Sequence, residues 1–162
     1  MRIVLGRRTI DNGASLDTAS VGSHSFSVQA ADSAGNSASK SVTYQVVYNW
    51  SGFLQPVDNL PTVNSAKAGS AIPVKFSLGG NEGLNIFAAG YPKVQQVACA
   101  SGAPIDEIEQ TVTAGASGLT YDAASGQYSY IWKTDKSWAG SCRQLILKLV
   151  DGTEYIAGFQ FR

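Results

Sequence analysis

Residues 72–78 read Ile72-Pro73-Val74-Lys75-Phe76-Ser77-Leu78. Apolar side chains occupy every second position, while Pro73 and Lys75 fall on the opposite face. A period of two is typical of a β-strand with one buried face, and a proline near the start of a strand suits a first or edge position. The stretch therefore predicts a sheet that is packed on one side.

Similar patterns recur through the following part of the chain. Residues 94–100, 127–132, 142–149 and 155–161 are further strand candidates, and Asp151-Gly152 is a hairpin turn signal. About seven short strands with turns roughly every 8–12 residues are typical of an Ig-like sandwich. We therefore predict an all-β fold, an Ig-like antiparallel β-sandwich, for residues 48–162.

The first 47 residues contain a weaker pattern. Residues 1–23 show no clear periodicity and are predicted to be irregular, whereas residues 24–30 and 41–46 alternate on either side of a turn at residues 32–36. This predicts a β-hairpin, which alone is marginal in water. We expect a partial Ig-like unit in residues 1–47 whose earlier strands lie upstream of Met1, and we place the boundary near residue 47, where aromatic residues and then prolines follow.

Charge and hydropathy exclude several classes of partner. Lys plus Arg number 12 and Asp plus Glu number 12, so the formal net charge is zero. A nucleic-acid-binding protein normally shows a basic excess, and no apolar stretch approaches the roughly 20 residues that span a bilayer. We expect no nucleic-acid partner and no membrane insertion. The apolar run from Ile3 is too short for a signal peptide, so an export signal of an exported protein is expected upstream.

Two cysteines, Cys99 and Cys142, leave two interpretations open. They form one disulfide in an oxidising compartment, or they are two unrelated buried thiols. In an Ig-like sandwich the pair would join two strands, and Trp132 is the candidate for the core tryptophan beside the bridge. A zinc site is poorly supported, because neither cysteine lies in a C-x-x-C motif and His24 is distant in sequence.

Two resemblances to known families add to this interpretation. Asp32-Ser33-Ala34-Gly35-Asn36 and Val42-Thr43-Tyr44-Gln45-Val46 resemble the end of a bacterial Ig-like or HYR-type repeat, over about residues 13–47. Residues 48–162 resemble the PxKF domain of bacterial secreted and surface proteins, named for the motif Pro73-Val74-Lys75-Phe76. The resemblance implies a non-enzymatic extracellular or cell-surface module, the C-terminal part of a larger multidomain protein whose other domains are its partners.

Catalytic groups are sparse in the sequence. A nucleophilic triad needs a histidine, and His24 at the start of the predicted hairpin is the only one. The densest acidic cluster, Asp106-Glu107-Ile108-Glu109, is typical of a solvated surface rather than of paired catalytic carboxylates. We therefore expect no catalytic residues, no cofactor and no enzymatic activity.

Two kinds of binding site remain as candidates. Asp32 and Asn36 could contribute oxygen ligands to calcium, although the same residues suit a tight turn. Carbohydrate binding would use exposed aromatic rings, and Trp50, Tyr128, Tyr130 and Trp138 are selected from a larger set that includes Tyr91. The alternative is that these rings pack the core or the interdomain joint. We expect a structural or interaction module, with binding of a cell-surface glycan or protein as the alternative function.

Overall fold

The structure is a computed structural model that describes residues 2–5, 8–11, 15–106, 109–113 and 118–162. The chain divides into two compact units, Met1–Val47 and Tyr48–Arg162. The division lies beside the aromatic and proline-rich stretch where the sequence analysis placed the boundary.

The first unit is a four-stranded antiparallel sheet in the order β2-β1-β3-β4. Its strands are β1 (Arg2–Leu5), β2 (Arg8–Asp11), β3 (Gly22–Ala31) and β4 (Ser37–Val46). The predicted hairpin is present as β3 and β4, but the expectation that residues 1–23 are irregular is wrong, since they contain β1 and β2. Each of these strands covers four described residues, too few to show a period of two. No side chain is buried within residues 15–47.

The second unit contains two five-stranded sheets. The first has the order β10-β12-β7-β5 with β11 also beside β12, and the second has the order β6-β14-β13-β8-β9. A 3-10 turn, η1, covers Lys136–Trp138. The strands are β5 (Phe53–Leu54), β6 (Val63–Ala66), β7 (Ala71–Phe76), β8 (Lys93–Val97), β9 (Glu109–Gln110), β10 (Val112–Thr113), β11 (Leu119–Asp122), β12 (Gln127–Lys133), β13 (Cys142–Lys148) and β14 (Glu154–Phe161).

The two sheets pack as an Ig-like sandwich, and their facing side chains form the core. On β7 the alternation predicted from residues 72–78 is confirmed, because Ile72, Val74 and Phe76 are buried. Trp132 of β12 is fully buried and lies edge-on to Phe159, with 5.0 Å between ring centroids. Edge-to-face aromatic pairs add to the stabilisation from buried area.

One strand pair departs from the antiparallel prediction. Strand β6 pairs with β14 in parallel, from Gly158 opposite Val63 to Phe161 opposite Ala66. The buried Asn64 fixes this edge, since its Nδ2 donates to the carbonyl of Gly158 at 3.0 Å and to that of Asp58 at 3.1 Å. A parallel pair needs no local turn signal, so short-range sequence patterns contain no indication of it.

The disulfide between Cys99 and Cys142 is present, with 5.2 Å between the two Cα atoms. Cys142 begins β13, but Cys99 lies in a turn beyond the end of β8 at Val97. The expectation that the bridge joins two strands is therefore wrong. Because Val97 is the register partner of Cys142, the bridge links β13 to the turn that follows β8, its neighbour in the same sheet. Trp132 lies in the other sheet.

Candidate functional site

Two of the four aromatic residues proposed for sugar stacking are buried. Tyr128 and Tyr130 are 0% and 2% exposed, and they stand opposite Phe76 and Val74 of β7. The Tyr128 hydroxyl accepts a hydrogen bond from the backbone N–H of Glu82 at 2.6 Å. The prediction that these rings form an exposed platform is wrong, because their strand face is the one that carries Trp132 into the core.

The other two rings are half-buried and contact the protein's own groups. Trp50 lies parallel to Tyr155 at 3.9 Å between ring centroids and also stacks on Phe76 at 5.0 Å. The guanidinium of Arg143 lies 4.4 Å from the centroid of the Trp138 ring. Both rings therefore already have stacking partners within the second unit.

The calcium candidates Asp32 and Asn36 form a closed turn. The Asp32 carboxylate accepts hydrogen bonds from Asn36 Nδ2 at 2.7 Å and from the backbone N–H groups of Asn36 and Ala34 at 2.8 and 2.9 Å. These hydrogen bonds, above all the one from the Asn36 side chain, hold the pKa of Asp32 below its usual value. Within the described ranges, no three His, Cys, Asp or Glu side chains are grouped to hold a metal ion. The geometry favours the turn interpretation.

Asp106, from the acidic cluster, belongs to a network around a buried cation. Arg143 is 8% exposed, donates to Gln96 Oε1 at 3.0 Å, and lies 3.9 Å from the Asp106 carboxylate. Asp106 also accepts a hydrogen bond from the backbone N–H of Gln96 at 2.8 Å. Glu107 lies outside the described residues. The contacts of Asp106 are those of a structural ion pair.

His24, the only histidine, lies at the surface of β3. Its Nε2 is 2.6 Å from the carbonyl oxygen of Ser20, and its ring stacks on Tyr44 at 5.3 Å. These contacts give the ring a local structural role in the first unit.

A cleft of about 340 Å³ lies along the edges of β6 and β7. Pro56, Val63 and Pro73 are among its lining residues. Asn64 also lines it, but its side-chain amide is engaged in the backbone hydrogen bonds that hold β6. The cleft is therefore lined by both apolar and polar residues, and the Asn64 amide is already engaged.

A smaller cleft of about 240 Å³ lies beside Tyr91 and combines aromatic and hydroxyl groups. It is lined by Phe87, Tyr91, Pro92, Thr111, Gly118, Leu119 and Tyr130. Tyr91 is one of the aromatic residues noted in the sequence, but it is not among the four selected as candidates for sugar stacking. Its neighbours in the cleft come from four separate segments of the chain, so no local motif marks the site.

The backbone holds Tyr91 in a fixed position at the end of β13. A turn closes through the N–H of Tyr91, which donates to the carbonyl of Ala88 at 3.1 Å, and Gly90 supplies the positive φ of 77° that this turn requires. The N–H of Ala88 in turn donates to the carbonyl of Lys148 at 2.8 Å. The segment that carries Tyr91 is therefore anchored directly to Lys148.

Two ammonium groups accompany the Tyr91 ring. The Nζ atoms of Lys93 and Lys148 lie 4.8 and 5.9 Å from its centroid. Cations at such distances are attracted to an aromatic ring. The one ion pair among the described side chains is that of Arg143 with Asp106, so neither lysine lies within 4.0 Å of a described carboxylate.

Two hydroxyl groups supply hydrogen-bonding capacity in the cleft. Thr111 Oγ1 donates to the carbonyl of Pro92 at 3.0 Å, so in its short contact with Tyr130 the phenol is the donor. Burial raises the pKa of Tyr130, which keeps the phenol protonated. Since both hydroxyl protons are already donated, the two oxygens retain acceptor capacity only.

Comparison with known protein families, curated proteins and solved structures gave no match for this chain. In the part of the chain that the structure describes, no helix has the length and apolar character that a membrane span requires.

Proposed function

We propose that the chain is a non-catalytic structural or interaction module of a secreted or cell-surface protein. The observation that carries this proposal is the sandwich of the second unit. Its core is rich in aromatic rings, and a disulfide links β13 to the turn that follows β8 in one of its sheets. Disulfides persist mainly in oxidising compartments such as the bacterial periplasm and the cell exterior. The bridge thus supports an extracellular or cell-surface location.

The contacts of the polar residues support a structural role. Asp32 closes a turn, Asp106 pairs with Arg143, and Asn64 fixes an edge strand. Each of these groups is engaged in a hydrogen bond or ion pair that stabilises the fold. We propose that the partners of the module are the other domains of a larger multidomain protein, as the resemblance of residues 48–162 to the PxKF domain implies.

Production of the full chain in two compartments of one bacterium tests this proposal. The periplasmic protein should contain no free thiol and should unfold at a higher temperature than the cytoplasmic protein with both thiols reduced. Equal stability of the two forms would contradict a module built for an oxidising environment. Turnover of a glycoside or peptide that is lost in D106N, with the fold retained, would contradict the non-catalytic part.

The alternative function is carbohydrate binding or adhesion through accessible aromatic rings. Two of the rings selected from the sequence, Tyr128 and Tyr130, are buried, and the other two, Trp50 and Trp138, stack on groups of the protein itself. These four rings therefore give no support to carbohydrate binding. The cleft beside Tyr91 favours this alternative instead, because it has an aromatic wall and lies near Lys93 and Lys148, which form no ion pair with any described side chain.

A further inference from the structure

We infer that the cleft beside Tyr91 binds a carboxylated sugar residue, such as a uronate of an acidic polysaccharide. This inference names a ligand class for the alternative binding function and rests on that function, not on the structural role. Its basis is the volume of the cleft, the apolar and hydroxyl-bearing residues that line it, and the two lysines near the Tyr91 ring.

The size of the cleft matches a small ligand. Pockets for drug-sized molecules have roughly 300–1,000 Å³, and the cleft of about 240 Å³ lies below that range. It can therefore accommodate a single sugar ring, while the remainder of a polysaccharide would extend into solvent.

The walls of the cleft offer apolar contact to one face of such a ring. Phe87, Tyr91 and Leu119 line it from separate segments, and Phe87 is itself fixed by a β-bridge to Leu149. The aliphatic C–H groups of a pyranose form an apolar face, which packs favourably on aromatic rings. A flat, partly apolar ligand therefore fits these walls.

The hydroxyl oxygens select for a ligand that donates hydrogen bonds. Thr111 Oγ1 and the Tyr130 oxygen have acceptor capacity remaining after their own protons are donated. A sugar has several hydroxyl donors, whereas an aliphatic carboxylate has none once ionised. This arrangement favours a sugar acid over a simple organic anion.

The charges near the cleft select for a negative ligand. Lys93 and Lys148 bring two ammonium groups to the Tyr91 ring, and Glu154 lies opposite Lys148 in the strand register. A carboxylate held between the ammonium groups gains from both, and this gain is weakened by salt because the groups are near the surface. We therefore expect binding that decreases with ionic strength.

Calorimetry with the full chain tests the inference. The probe is a set of galacturonate oligosaccharides, and the matched ligand control is the same set with its carboxylates methyl-esterified. We expect the acid form to bind about tenfold more tightly than the ester, and to bind less tightly at high salt. Equal affinity for both forms, or no binding of the acid form, would overturn the inference. Equally tight binding of polyglutamate would show that charge alone is recognised and would overturn the assignment to a sugar.

Variants locate the site. K93Q and K148Q should each weaken binding about fivefold, and Y91A about tenfold, whereas the exposed Lys67 provides a matched control in K67Q with unchanged affinity. E154Q should bind more tightly, because it removes the carboxylate opposite Lys148. Unchanged affinity in Y91A, with the same unfolding temperature as the wild type, would place the site elsewhere. If none of these binding results were obtained, the inference would be wrong. The dependence of stability on the disulfide, which tests the proposed structural role, would be unaffected.

Discussion

Removal of the Cys99–Cys142 bridge in the double variant C99A/C142A should lower the free energy of unfolding by about 4 kcal/mol in the chain-entropy model. The magnitude follows from the 43 residues that separate the two cysteines, since the bridge restricts the unfolded chain by closing a loop of that length. The folded state should change little, because the ladder between β8 and β13 already places Val97 opposite Cys142. For a unit of this size the loss corresponds to a decrease of about 16 °C in the unfolding temperature.

Thermal and denaturant unfolding followed by tryptophan fluorescence measure this loss. The wild type in the presence of a reductant should show the same decrease as the double variant, and the double variant should not respond to reductant. Titration of thiols in the unreduced, denatured wild type should detect none. The matched control is A139G, a substitution at an exposed position of the same unit that leaves the bridge intact.

A loss below about 1 kcal/mol, with all probes coincident, would refute the loop-closure reasoning. It would show that the unfolded chain keeps the two segments close without the bridge. Two reactive thiols in the denatured wild type would refute the bridge itself.

Three further predictions concern the core, its tyrosines and the first unit. W132A should destabilise the second unit by about 3–5 kcal/mol, since it leaves a large cavity in a fully buried position, and denaturant unfolding measures the loss. Burial raises the pKa of Tyr128 and Tyr130 in the folded state. The stabilisation from the protonated phenols is therefore complete below the unfolded-state pKa near 10 and is lost as pH rises through the folded-state pKa. The free energy of unfolding measured against pH should show this decrease, and Y130F should make the decrease less steep. Amide hydrogen exchange should be faster in Gly22–Ala31 than in Cys142–Lys148, because the former lacks buried side chains, and equal protection would contradict this expectation.

The fold was predictable where apolar side chains alternate over a long stretch. Residues 72–78 indicated an inward face, and Ile72, Val74 and Phe76 are indeed buried. The parallel pairing of β6 with β14 was not predictable, because those segments are almost a hundred residues apart and no turn joins them. The described parts of β1 and β2, four residues each, are too short for a period to appear.

The candidate site was less predictable than the fold. Alternation places Tyr128, Tyr130 and Trp132 on one face of β12, but it does not say whether that face meets the core or the solvent. The cleft beside Tyr91 depends on Thr111 and Tyr130, which the chain brings to Tyr91 only through the pairing of distant strands. Cys99 illustrates the same limit. The sequence pattern predicts a strand over residues 94–100, whereas β8 ends at Val97 and Cys99 lies in the turn that follows.

Over the residues that the structure describes, the outermost strands of the second unit's sheets are short. Strands β5, β9 and β10 have two residues each, and β6 and β11 have four. A short margin offers a neighbouring molecule few free backbone groups with which to extend the sheet, and proteins use this device against fibril formation. Copies of the second unit at high concentration should therefore have little tendency to polymerise through these edge strands.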